Sequence, residues 1–174
     1  MNSTLRQFLH DQAKKNQDGK AQAKEWRIAV EQLFNEIKQW LKESDPDGVI
    51  EIEETDEYVN EPGLGRYRVP RLNLVVLGKW VGIIPIARRT VGTAKPSQKS
   101  APERALGRVD ITDELRRYML YRFREGSKDT WVIDGLDHGY EEKTWPGQVQ
   151  YMPRTETKPL DQQAFEKALM SYLQ

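Results

Sequence analysis

The chain has 174 residues, 27 Lys and Arg against 27 Asp and Glu for a formal net charge of zero, and no cysteine. Without cysteine there are no disulfides, no thiolate nucleophile and no Cys-ligated zinc or iron–sulfur centre. No apolar run reaches the roughly 18–20 residues of a membrane span; the longest, Leu72 to Ile86, is broken by Asn73, Gly78, Lys79, Gly82 and Pro85.

One domain over residues 1–174 is the expectation at this length, with enough chain for a real core. The hydrophobic share of 37% and charged share of 31% suggest one core with long polar loops. The polar N-terminus resembles no secretion signal, so a cytoplasmic location is expected. The zero net charge hides a segregation. Residues 44–62 carry eight acids and no base, whereas residues 66–128 carry fifteen Lys and Arg against five acids. Such separation sets up a local field, which either draws an anionic partner or is neutralised within the molecule.

In chain order, residues 1–19 read as a short helical segment with Leu5, Phe8 and Leu9, interrupted at Asn16–Gly19. A long helix follows from about Lys20 to Glu43. Trp26, Val30, Leu33, Phe34, Ile37, Trp40 and Leu41 form a stripe at spacings of three and four. Ser44-Asp45-Pro46-Asp47-Gly48 is turn chemistry. Val49–Glu53 alternates as a half-buried strand. Tyr67–Leu77 and Trp80–Arg88 read as strands joined at Gly78-Lys79, with Pro70 and Pro85 at edges or bulges.

Residues 92–107 are small, polar and basic, and read as a mobile loop. Short strands follow at Arg108–Thr112, Arg117–Glu125 and Thr130–Asp134. In the second, Met119, Tyr121 and Phe123 share one face and Tyr118, Leu120, Arg122 and Arg124 the other. Near the C-terminus Asp161 is a fitting N-cap, with Leu160 and Phe165 placed as a hydrophobic staple. The fold class is therefore α+β: a single curved antiparallel sheet of five to six strands packed against a long N-terminal helix and a C-terminal helix.

Three constellations could carry function. Arg68, Arg88, Arg89, Arg117, Arg122 and Arg124 lie on or beside the basic strands. Were Arg68, Arg88, Arg122 and Arg124 to share the face away from the helices, they would suit an anion or a nucleic-acid backbone, with tyrosines to stack bases. The plainer reading pairs such arginines with carboxylates such as Glu51, Glu53 and Asp110 across strands. Second, Tyr140, Trp145 and Tyr151 could form a protein-binding rim, or simply anchor a long loop.

Third, Asp134, Asp137, His138 and Glu141 supply donors that a divalent metal favours, and Asp134 with Glu141-Glu142-Lys143 mimics the Asp…Glu-x-Lys arrangement of metal-dependent nucleases, but no apolar strand carries the second element, the spacing is not that of an EF-hand, and a polar turn is the plainer reading. No dinucleotide fingerprint, Walker sequence, nucleophile elbow or nucleic-acid-binding signature is present. The expectation is a non-catalytic cytoplasmic interaction or accessory domain, binding another macromolecule, a protein or a nucleic acid, through the basic sheet face and the 92–107 loop. Direct nucleic-acid binding through the Arg/Tyr-rich strands is the alternative, and a metal-dependent hydrolase the second. No cofactor, metal or membrane is expected, and the reading leaves room for a homodimer.

Overall fold

The structure, a computed structural model, describes residues 4–88, 94–95, 103–135 and 157–174. Helix α1 (Leu5–Ser44) is followed by strands β1 (Ile50–Glu61), β2 (Gly65–Val76) and β3 (Lys79–Ala87). A short separate ladder, β4 (Ala94–Lys95) with β5 (Glu103–Arg104), precedes β6 (Arg108–Thr112), β7 (Arg117–Glu125), β8 (Lys128–Asp134) and β9 (Lys158–Pro159). Helix α2 (Gln162–Leu173) ends the chain. The main sheet has seven strands in the order β1-β2-β3-β6-β7-β8-β9, every pair antiparallel. The fold is therefore α+β as expected, with one short strand more than anticipated. No described helix is long and apolar enough to cross a membrane.

Strand register explains the core. Leu72, Ile83, Ile111 and Tyr118 stand in one row across four strands, and Val109, Leu120 and Ile133 in a second. All seven are buried against the α1 stripe of Trp26, Val30, Leu33, Phe34, Ile37 and Leu41. Phe165, Ala168, Leu169 and Tyr172 of α2 complete this core. Each large apolar side chain removed from water here contributes about 1.5–3 kcal/mol. The opposite sheet face carries a second, smaller cluster of Ala105, Tyr121, Phe123 and Val132.

Several local expectations change. The interruption at Asn16–Gly19 does not occur: α1 runs unbroken for 40 residues. Gly19 has a steric role there, since a Cβ would come within 2.5 Å of the Gly63 carbonyl oxygen in the β1–β2 turn. The β2–β3 loop is Leu77-Gly78, one residue earlier than read, and both residues have positive φ (51° and 80°). Residues 105–107 close the supposed loop onto β7: Leu106 N–H donates to the Arg122 carbonyl, and Arg122 N–H to that of Gly107. The bulge at Pro85 is present as a register shift between Pro85 and Ala87. Asp161 caps α2 by accepting from Ala164 N–H at 2.8 Å.

Candidate interaction surfaces

The arginines do not form one open face. Arg122 alternates with Tyr121 and Phe123, and the second apolar cluster claims those aromatics, so Arg122 points toward α1 and is only 1% exposed. This corrects the expectation that it lies away from the helices. Its Nη2 donates to Glu25 Oε1 at 2.7 Å and to both Asp129 oxygens at 2.9 Å. Arg124 reaches the same two carboxylates, Glu25 at 2.7 Å and Asp129 at 3.4 Å. Arg88 lies 3.6 Å from the other Glu25 oxygen. Two guanidiniums on β7 and one just past the end of β3 are thus gathered by one helix residue, and the β7 pair also shares one hairpin residue.

The electrostatics follow from that geometry. Burial pushes the Glu25 carboxyl up, but the Arg122 hydrogen bond and the charges of Arg122, Arg88 and Arg124 outweigh it and hold its pKa below the ordinary value. Arg122 Nε and Nη1 and Arg88 Nε are buried without a hydrogen-bond partner among the described residues. A buried ion network of this kind costs desolvation and is weak evidence for net stability, but losing one partner is expensive. Its placement clamps α1 to the β7–β8 hairpin.

The remaining predicted arginines are dispersed. Arg117 lies 3.8 Å from Asp110, which also holds Arg108 through two hydrogen bonds of 2.7 and 2.8 Å. Arg68 pairs with Asp56 at 3.4 Å, and Asp56 also accepts from Arg27 of α1. The acidic first strand is thereby partly neutralised within the molecule, with Lys38 on Glu54 and Arg71 on Glu57. Exposed Tyr58 carries the Arg66 guanidinium 4.1 Å from its ring centre and that of Arg68 at 5.4 Å. Asp134 lies buried on the face opposite α1, in the row of Met119 and Asp110. Arg89, Asp137, His138, Tyr140, Glu141, Trp145 and Tyr151 fall outside the described residues. No metal-ligating cluster occurs among the described residues.

Two other surfaces stand out. The first is the N-terminal third of α1. Counting back from Trp26 at spacings of three and four gives Ala23, Gly19, Asn16, Gln12, Leu9 and Leu5, so the outer leucines continue the stripe that builds the core. Beyond Gly19, however, the sheet ends. Leu5, Phe8 (59% exposed) and Leu9 are exposed among the described residues. Arg6 and Asp11 flank this stripe at about equal angles on its two sides, Lys15 and Lys20 lie closer to it, and Asp18 lies behind it.

The second surface is the opposite end of the sheet. There the β2–β3 turn holds Leu77, 79% exposed, and the β6–β7 turn holds Leu115, 81% exposed. A cavity of about 510 Å³ lined by Lys79, Trp80, Asp113, Glu114 and Tyr172 lies between the two turns. Val49 is exposed at the same corner, because its neighbour Ile50 pairs with Val76. Sequence reasoning missed this surface. Its one signal was a leucine before Gly78, where a two-residue hairpin turn ordinarily takes Asn or Asp.

No family model matches this chain, and neither a curated protein nor a solved structure shows significant similarity to it.

Proposed function

We propose that this is a non-catalytic interaction protein that docks onto another macromolecule, and that the projecting part of α1 is its contact element. One observation carries the reading: the stripe of Leu5, Phe8 and Leu9 continues the core stripe of the same helix yet stands in solvent. An amphipathic helix with an uncovered apolar face is the donor half of helix-in-groove recognition. The arginine cluster, by contrast, is occupied by Glu25 and Asp129 and supports a structural role. The contact therefore moves from the sheet arginines to the helix.

Co-purification of tagged wild type beside the Phe8→Asp variant tests this. A stoichiometric partner held by the wild type and lost from the variant is expected. Equal retention by both, or no partner for either, overturns the proposal.

Nucleic-acid binding is a second reading, favoured by the exposed Tyr58 with two guanidiniums over its ring. An aromatic face beside cations suits a stacked base and its phosphate. Fluorescence anisotropy with single-stranded and duplex DNA and RNA at two salt concentrations decides it. Binding that collapses with salt and weakens in Tyr58→Ala and Arg66→Ala supports it. Binding unaffected by those changes removes it.

A further inference from the structure

The two edges of the main sheet are built differently. One edge is β9, two residues ending at Pro159, after which the chain passes into α2. A very short strand ending in proline is a usual way of closing a sheet to further pairing. The other edge is β1, twelve residues in unbroken register with β2, with no glycine or proline among them. In an antiparallel pair, alternate residues turn their backbone N–H and C=O toward the partner strand, and the rest turn theirs away. From Glu51 to Asn60 the backbone makes no hydrogen bond outside the β1–β2 ladder among the described residues. Apart from Thr55 and Val59, every residue in that range is exposed.

The side chains along this edge alternate as well. Ile50 and Ile52 stand opposite Val76 and Leu74 and share the helix-covered face, whereas Glu51 and Glu53 stand opposite Val75 and Asn73 on the other face. Ile52 is nevertheless 41% exposed, because no strand flanks it. Further along, Glu54, Asp56 and Glu57 are paired with Lys38, with Arg27 and Arg68, and with Arg71. Glu51 and Glu53 form no ion pair among the described residues. Arg71, the β2 base closest to them in register, gives its hydrogen bonds to Asn73 and Glu57.

We propose that β1 is a strand-addition site: an extended segment of a partner protein, with Lys or Arg alternating with β-branched residues, pairs beside Ile50–Glu53 and prolongs the sheet. This contact is separate from the projecting part of α1 and does not rest on it. The edge itself specifies the occupant. A line of free backbone donors and acceptors is satisfied by another extended backbone, whereas a helix has already spent its own. Side chains of an added strand fall directly opposite those of β1, so bases belong opposite Glu51 and Glu53 and apolar residues opposite Ile50 and Ile52. A second copy of β1 does not fit. The strand carries six acids and no base, and two of them side by side would bring like charges together.

Fluorescence anisotropy with the full chain and a labelled peptide in which Lys alternates with Ile tests the proposal. Saturable binding that weakens with added salt is expected. The double variant Glu51→Lys/Glu53→Lys should bind roughly tenfold or more weakly. Both positions are exposed, so unchanged circular dichroism confirms that the fold is intact. The same peptide N-methylated along its backbone keeps its charges but cannot donate, and should not bind. Amide hydrogen exchange in the complex should slow at every second residue of β1. Phe8→Asp should bind the peptide as wild type does, which keeps this contact distinct from that of α1.

No binding of the alternating peptide at low salt overturns strand addition. So does equal binding of the N-methylated peptide, which would make the attraction one of charge alone, and so does equal binding by the double variant.

Discussion

The Arg122 guanidinium donates to Glu25 at 2.7 Å, joining a central strand to the long helix across 97 residues of sequence. Because the same carboxylate also faces Arg88 and Arg124, its charge holds three cations in place. Its folded pKa is held below that of an ordinary carboxylate. A depressed carboxylate stabilises the fold fully above its unfolded pKa and loses that contribution as pH falls through the folded value. Thermal melts from neutral pH to pH ~3 should therefore show wild type above Glu25→Gln at neutrality, with the gap closing on acidification. A gap that stays constant or widens in acid would contradict this.

Arg122→Ala should cost about 3–5 kcal/mol in chemical denaturation, since it strands carboxylates in a partly buried setting. Arg122→Met, which fills the space without a charge, should recover part of that loss. Both variants should leave partner binding unchanged at temperatures where they are folded. An Arg122→Ala chain of wild-type stability with impaired binding would return this residue to the contact surface.

Gly107 lies under the Trp26 ring, where an added Cβ would overlap the indole. Trp26 is fully buried, so it has no free space to retreat into. Gly107→Ala should destabilise by about 1–3 kcal/mol, in the range for overpacked cores. A melting temperature equal to wild type would show that α1 sits less tightly on the segment leading into β6 than the geometry states.

Leu77→Asn should raise stability, by up to about 1–2 kcal/mol, because Asn accepts the left-handed turn that Leu resists. The gain should appear as a higher denaturation midpoint with an unchanged slope. A lower midpoint would mean that the Leu77 side chain supports the fold itself.

The parts legible beforehand were those where one local rule decides. Asp161, Leu160 and Phe165 mark the start of α2 without ambiguity, and the Trp26–Leu41 stripe marks the buried side of α1. Gly19 misled because flexibility and close approach both call for glycine, and only the fold shows that Gly63 lies beside it. The second half of β1 was missed because Glu54 and Asp56 look like loop residues. Both occupy strand positions whose partners, Lys38 and Arg27, come from the distant helix.

For β7 the alternation of faces was readable but their direction was not. Each face carries apolar residues, and the sequence around Arg122 does not say that Ala105 and Val132 cover the aromatic side. Charge segregation was visible as composition. Its resolution into internal pairs around Glu25, Asp56 and Asp110 required the register.

The most direct measurement places a photo-cross-linking amino acid at Phe8 and, as control, at His10 on the far side of the same helix. Illumination in cell extract, followed by mass spectrometry, identifies what each position touches. The account predicts a discrete cross-linked product that joins Phe8 to a partner, and none from His10. No product from Phe8, or the same diffuse products from both positions, would contradict it.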